Sequence, residues 1–219
     1  MATQGTLPGF DSAEETAERQ PCTLDALSTA RRPALGYSLF LALRPEDEAA
    51  SRIHRHSLAL HQALGINPHG AQTPDRLHLT LLHFNKQLAR LAMPVPTRGY
   101  LEGVRTALNG LRLKSLCVEF DALQQWSARQ LLVLSCTPES NAKLLHLRQQ
   151  LQIRLRQRAR QGEASATPHM TLNYRAERTA TDPSPLENPI TWQARSISLI
   201  LSHVGATHHQ LIQVWPLNE

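Results

Sequence analysis

Two short segments of the chain carry nearly the same arrangement of side chains that could transfer protons. The first, LHLTL, places His78 and Thr80 two residues apart, and the second, PHMTL, does the same for His169 and Thr171. Side chains alternate between the faces of a strand, so each histidine shares a face with its threonine while the apolar residues share the other face. Two imidazoles that face one pocket can act as general acid and general base.

The elements around the two segments repeat as well. An apolar strand at 37–43 is followed by a helix that begins at Pro45, a loop and the first segment. An apolar strand at 131–136 is followed by a helix from Pro138, a loop and the second segment. The prolines are 93 residues apart and the histidines 91. The pattern predicts a duplicated αβ unit whose pseudo-twofold symmetry brings the two motifs together across a cleft.

Turn and capping signals predict the remaining elements. Thr97 is a good N-cap for a further helix, which Asn109-Gly110 would end. Two hairpins are predicted, one from strands 116–123 and 130–136 and one from strands 196–202 and 210–215. Residues 176–190, rich in Pro, Asp, Ser and Thr, are predicted to form a loop. We expect a mobile tail over residues 1–36 and a single bilobal domain over residues 37–219.

The composition favours a globular protein with an anionic partner. Apolar residues make up 41% of 219 positions, and no run approaches the 18 apolar residues that a membrane span needs. The net charge is +5, and 20 of the 23 basic residues are Arg, which suits phosphate oxygens. Five arginines on one predicted helix face could contact RNA or form an ordinary solvated surface; they are Arg148, Arg154, Arg156, Arg158 and Arg160.

The three cysteines are too far apart for a disulfide framework or a CxxC motif, and the N-terminal residues show no secretory signal. These features lead us to expect a cytoplasmic protein.

The two His-x-Thr motifs, each after a strand–helix unit, resemble the 2H phosphoesterase superfamily. Within it, the likeness is to RNA 2′,3′-cyclic phosphodiesterases, also called 2′-5′ RNA ligases, and it covers about residues 37–217. The resemblance implies an α+β fold, with two antiparallel sheets around a central cleft and helices outside. It also implies metal-independent opening of a ribose 2′,3′-cyclic phosphate, often to a 2′-phosphate, and in some members 2′-5′ ligation. The implied partner is RNA with a cyclic phosphate end, or a cyclic nucleotide.

Such a reaction assigns a role to each motif residue. Two histidines with a pKa near 6.5 suit proton transfer at neutral pH, and we assign His78 as general acid and His169 as general base. The hydroxyls of Thr80 and Thr171 would bind the non-bridging phosphate oxygens. No cofactor or metal is expected, and we expect a monomer.

The sequence departs from the family pattern at one position. Many bacterial relatives carry Arg five residues after the second motif histidine, whereas this chain has Tyr174, followed by Arg175. A phosphate or base contact made by that Arg is therefore in question. Strand alternation predicts that Tyr174 points away from His169 and packs. By the same rule His83 should lie on the face opposite His78.

Other residues and functions remain open. A zinc site from His203, His208 and His209 would lack a ligand at a familiar spacing. Trp126 and Trp192 could stack on bases, or could pack in the core. The alternatives to a cyclic phosphodiesterase are a non-catalytic RNA- or nucleotide-binding module and a 2′-5′ oligonucleotide phosphodiesterase.

Overall fold

The structure is a computed structural model, and it describes residues 36–84, 95–126, 131–156, 167–176, 184–205 and 208–218. In these residues, eight strands form one antiparallel sheet that is accompanied by three α-helices. The strands are β1 (Gly36–Leu43), β2 (Leu79–His83), β3 (Leu116–Trp126), β4 (Leu131–Cys136), β5 (His169–Asn173), β6 (Ser184–Ala194), β7 (Ser196–Val204) and β8 (His208–Pro216). The helices are α1 (Asp47–Leu64), α2 (Arg98–Leu108) and α3 (Pro138–Arg154), and a short 3-10 turn (Pro74–Arg76) precedes β2.

The strand order shows two halves that meet in the middle of the sheet. The order is β6-β3-β4-β5-β2-β1-β7-β8, and the first and last four strands each contain one motif strand, β5 or β2. The halves join where Leu79 pairs with Met170 in the β2–β5 ladder. The predicted α+β class with two antiparallel halves is confirmed, and the two predicted sheets are continuous through this pair.

All three helices begin near the predicted positions, and α1 and α2 also end there, but α3 ends at Arg154, so Arg156 lies beyond the helix on which it was predicted. Helix α1 follows Pro45 and stops at Gly65, whose φ of 64° is easily reached only by glycine. The hydroxyl of Thr97 accepts a hydrogen bond from a backbone N–H in the first turn of α2. Thr137 caps α3 in the same way, with Pro138 in the first turn.

The helices cover one face of the sheet and leave the other for the motifs. In β1, Leu39, Leu41 and Leu43 are buried in the main core together with apolar residues of all three helices. Phe40 and Ala42 alternate to the opposite face, where they form a separate small cluster with Ile200 of β7. We call this second face of the sheet the site face.

The predicted loop at 176–190 is wrong over its second part, because β6 begins at Ser184. This strand lies at the edge of the sheet and pairs with β3 alone. Pro185 and Pro189 suggested a loop, but an edge strand tolerates proline because one side of its backbone needs no ladder partner. Trp192 of β6 is 4% exposed and stacks on Phe120, so it packs in the core.

Several predictions concern the tail and the surface. Of the predicted tail over residues 1–36, only Gly36 is described, and it begins β1.

Arg148 is buried, which contradicts its placement on a solvated face, while Arg154 and Arg156 are exposed. Arg158 and Arg160 lie outside the described residues. Among the helices that the structure describes, none combines the length and apolarity needed to cross a lipid bilayer.

Candidate active site

The single β2–β5 pair brings the four motif side chains together. Because Leu79 pairs with Met170 in an antiparallel ladder, the register places His78 across from Thr171 and Thr80 across from His169. Leu79 and Met170 are fully buried on the helix side, so their neighbours point to the site face. Strand geometry sets the four Cα atoms at the corners of a rectangle, with sides of about 7 Å along the strands and about 5 Å between them. Each half therefore offers its histidine beside the other half's threonine.

Both motif strands contain a β-bulge at the same motif position. Against β1, Ala42 pairs with Thr80 and Leu41 with Leu82, so Leu81 is the extra residue. Against β4, the register skips Leu172 in the same way. A bulge bends the strand, increases its twist and shifts the alternation of the side chains that follow. The leucine after each threonine is thus a structural part of the repeated motif.

Matching hydrogen bonds fix the two imidazole rings. Nδ1 of His78 lies 2.7 Å from the carbonyl oxygen of Arg76, and Nδ1 of His169 lies 2.9 Å from that of Thr167. A carbonyl oxygen only accepts, so each Nδ1 carries the hydrogen. Nε2 is consequently the nitrogen that gains or loses a proton in both rings. The duplicated unit repeats the hydrogen-bonded Nδ1–H of its histidine as well as the position.

The ring of His78 is enclosed by aromatic side chains. Phe40 stacks on it with ring centroids 5.1 Å apart and an interplanar angle of 29°. His209 of β8 meets it edge-on, with centroids 5.2 Å apart. Burial lowers the pKa of His78 to about 4, and the charges of His83, Arg76 and Arg44 act in the same direction. In the absence of an anion, His78 is therefore neutral at pH 7.

The surroundings of His169 are different. Trp126 meets its ring at 60° with centroids 4.4 Å apart, and the indole N–H donates to the Gln124 side chain at 3.0 Å. Trp126 therefore lies at the site and contacts a motif histidine. Ser135 of β4 lies across from His169, and its buried hydroxyl has no hydrogen-bond partner among the described residues. The β1–β2 register gives Arg44 the corresponding position across from His78.

Helices α1 and α3 each support the motif strand of the other half. The guanidinium of Arg148 on α3 donates to the carbonyl oxygen of Thr80 in β2, at 3.4 Å. Nε2 of His61 on α1 accepts a hydrogen bond from the Asn173 side chain in β5, at 2.9 Å. His61 is almost fully buried, and its Nδ1–H donates to the carbonyl oxygen of Ser57. Polar contacts between the halves thus hold both motif strands from the helix side of the sheet.

The bulges overturn two predictions made from ideal alternation. His83 lies on the same face as His78, because both rings contact Phe40 and the extra residue reverses the alternation between them. Tyr174 is 44% exposed, so it does not pack as predicted. It lies one residue beyond β5, at the motif position that corresponds to His83.

The histidines of the last hairpin fall on two faces. His209 contacts Phe40 and His78 on the site face, whereas the ring of His203 contacts Tyr37 and His208. The three histidines of the zinc alternative therefore do not converge. No group of three potential ligands that could hold a metal occurs in the described parts of the chain. Sequence reasoning considered His209 only as a zinc ligand and missed its contact with His78, which depends on the strand order.

Comparison with known proteins shows similarity of fold. No protein-family model and no curated protein sequence matches the chain. LigT from E. coli in complex with phosphate is similar with a TM-score of 0.61 and 20% identity, over 84% of this chain and 99% of LigT. LigT with 3′-AMP gives 0.62 and 20%, over 86% and 100%. TT0787 from Thermus thermophilus gives 0.59 and 16%, over 82% and 97%.

The fold of the chain is therefore that of LigT, and it extends over nearly the whole length of these proteins. A crystal structure described as a phosphoesterase is also similar, with a TM-score of 0.61 and 19% identity over 84% of this chain and 99% of that one. These comparisons confirm the fold that the two short motifs led us to expect.

Proposed function

We propose that the protein hydrolyses the 2′,3′-cyclic phosphate of RNA ends or nucleotides to a 2′-phosphate, without a metal. One observation carries the proposal: the β2–β5 register brings His78, Thr80, His169 and Thr171 to one face. The matching Nδ1–carbonyl hydrogen bonds leave Nε2 of each histidine as the proton-exchanging atom. Two such rings beside two hydroxyls suit in-line attack on a phosphate.

The reaction needs one proton removed and one supplied. One imidazole takes a proton from water as the water oxygen attacks phosphorus. The bond between phosphorus and the 3′ oxygen breaks, and the other imidazole donates a proton to that oxygen. The product is a ribose 2′-phosphate with a free 3′ hydroxyl. The threonine hydroxyls donate hydrogen bonds to the non-bridging oxygens, on which negative charge increases in the transition state.

The pKa of His78 bears on the assignment of acid and base. An acid must be protonated before it donates, but His78 is neutral at pH 7 in the anion-free protein, since its pKa is about 4. His78 can act as the acid only if the bound phosphate anion raises this pKa. If the pKa stays low in the complex, the roles are reversed and His78 is the base. The pair, rather than its order, is the proposal.

Charges around the first motif support an anionic substrate. Arg44 and Arg76 are close enough to affect the proton equilibria of both His78 and His209. Positive charge at a site attracts and orients an anion. The known complexes of LigT with phosphate and with 3′-AMP support phosphate and nucleotide ligands for this fold.

We propose RNA ends with a cyclic phosphate as the natural partner, and 2′-5′ ligation as a related activity. We further propose that the protein is a monomer and that it is located in the cytoplasm.

The test is a product assay on defined ends. The purified protein is incubated in excess EDTA with a 2′,3′-cyclic nucleotide, with a short RNA that has a cyclic end, and with a 2′-5′ oligonucleotide. We expect the first two to give a 2′-phosphate, distinguished from a 3′-phosphate by chromatography. The matched controls are the double variant of His78→Ala with His169→Ala, which should be inactive, and His56→Ala on the exposed side of α1, which should be fully active.

Three outcomes would contradict this proposal. Abolition by EDTA would indicate a metal-dependent reaction. Binding of the cyclic nucleotide without turnover would indicate a nucleotide-binding module. Exclusive cleavage of the 2′-5′ oligonucleotide would indicate the alternative phosphodiesterase.

A further inference from the structure

A third histidine reaches the site from the last strand. His209 lies on β8 across from Ser202 of β7, far along the chain from both motifs. Its ring meets His78 at 75° with centroids 5.2 Å apart, and meets Phe40 at 79° with centroids 5.8 Å apart. Phe40 and His209 therefore contact the ring of His78 from two directions. The hydrogen bond from Nδ1 to Arg76 restrains it from a third.

Charged and titratable groups surround this pair of imidazoles. Arg44 lies after β1, and Asp75 and Arg76 belong to the 3-10 turn before β2. Burial is the main cause that lowers the pKa of His209, to about 3, and the charge of His78 acts in the same direction. Both arginines lower it further, while Asp75 opposes them. His83, from β2, is the remaining neighbour that acts on His78.

We propose that His209 is a positioning residue for His78. Its ring, together with Phe40, excludes water from one side of the His78 imidazole and holds Nε2 in one direction. This inference deepens the proposed function, since it rests on the role of His78 there. The size of the His209 ring, and not its charge, produces this effect, because burial keeps the pKa of both rings well below 7. A side chain of similar size without a titratable group should therefore replace His209.

The test is a direct measurement of the His78 proton equilibrium by NMR. The ring signal of His78, identified by its loss in His78→Asn, is followed from pH 8 to the acid limit of the folded state. The wild type should titrate well below the ordinary value of about 6.5. In His209→Ala, water reaches the ring, and the pKa of His78 should rise by about one unit, a tenfold change in the equilibrium. His209→Phe should keep the wild-type value.

A neighbouring histidine provides the matched control. His208 is exposed and contacts His203 instead of the site, so His208→Ala should leave the His78 titration unchanged. If His209→Ala does not fold, His209→Ser provides the small side chain. An unchanged pKa of His78 in the small variants would overturn the proposal. So would a His209→Phe variant that titrates like His209→Ala, because the imidazole itself would then be required.

Activity gives a second readout. With a cyclic nucleotide as substrate, His209→Ala should lower kcat about tenfold and change KM much less, because a misdirected Nε2 impairs proton transfer more than binding. His209→Phe should restore kcat to near the wild-type value. The NMR result does not depend on turnover, so a protein that is inactive on every substrate would contradict the proposed function while leaving the positioning role testable. An effect on KM alone would contradict the positioning role.

Discussion

The two halves of the molecule hold their histidines on matching bulged strands but surround them with different side chains. In both, a bulged strand carries the motif, and Nδ1 donates to the carbonyl of the residue two positions earlier. Around His78 lie Phe40, His209 and charged side chains, with Arg44 across the ladder. Around His169 lie Trp126 and a buried serine hydroxyl.

This difference shows which properties the duplication preserves. The backbone device that orients Nε2 is repeated in both halves, because it depends only on strand register and a carbonyl group. The groups around His78 are not repeated around His169, since they are side chains from β1, β8 and the 3-10 turn. If the two histidines act as acid and base, both must reach the reacting phosphate, so their positions must match. The duplicated strand gives the two histidines matched positions and different neighbouring rings.

The largest expected effect tests whether the halves are equally necessary. His78→Ala and His169→Ala should each lower kcat on a 2′,3′-cyclic nucleotide by at least about a hundredfold, since each removes one proton-transfer step. The double variant should be only slightly worse than either single one, because the two residues act as a unit. Steady-state kinetics measures all three. A single variant that keeps full activity would show that its half is not part of the catalytic site.

Substitutions of Thr80 and Thr171 test whether the two halves contribute equally to phosphate binding. Replacing either with Val keeps the shape and removes one hydroxyl donor. We expect kcat/KM to fall about tenfold for each, within the range for a hydrogen bond to a charged group. Circular dichroism at equal temperature should show that both variants are folded. If only one substitution has an effect, the phosphate is bound by one half.

Arg44 tests the difference between the halves. Arg44→Ser gives the first half the residue type that lies across from His169 in the second. We expect KM for the cyclic nucleotide to rise about threefold to tenfold, and the salt dependence of kcat/KM to weaken, because the attraction of a nearby charge is lost. Ser135→Ala, the matched change in the other half, should leave the salt dependence as it is. Equal salt dependence of kcat/KM in wild type and Arg44→Ser would show that Arg44 does not attract the substrate.

The smallest effect concerns stability against pH. His78 and His209 have folded-state pKa values of about 4 and about 3, below their ordinary value of 6.5. As pH falls below about 6.5, the unfolded chain binds protons that the folded chain does not, so the free energy of unfolding decreases until the folded-state values are reached. Urea denaturation at several pH values between 7 and 4 measures this slope. His209→Phe should make it shallower, and an unchanged slope would contradict the lowered pKa of His209.

Much of the frame could be predicted from the sequence. Alternation of polar and apolar residues identified the site face of both motifs. Proline and threonine signals located the starts of the three helices, and glycine or Asn-Gly signals located the ends of α1 and α2. These features are local, and each depends on a few neighbouring residues. The repeat of the strand–helix–motif order was enough to predict two antiparallel halves. The short pattern also indicated that the four motif side chains belong together.

The rest depended on pairings between distant strands. The bulge at Leu81 reverses alternation in a way that no local pattern shows, which is why ideal alternation places His83 on the wrong face. His209 reaches the site only because β7 and β8 extend the first half. Buried polar residues on helices were missed for a related reason: Arg148 and His61 find their partners on the motif strand of the opposite half.

The position of β1 has a consequence for how the site is made. This strand lies between β2 and β7, and β7 begins at Ser196, 160 residues after β1 begins at Gly36. Until β7 emerges from the ribosome, one edge of β1 lacks its partner, and β8 with His209 follows later still. Pairings between such distant segments close slowly and leave strand edges exposed to aggregation in the meantime. Nascent chains that stop before the last hairpin should therefore be both inactive and dependent on chaperones.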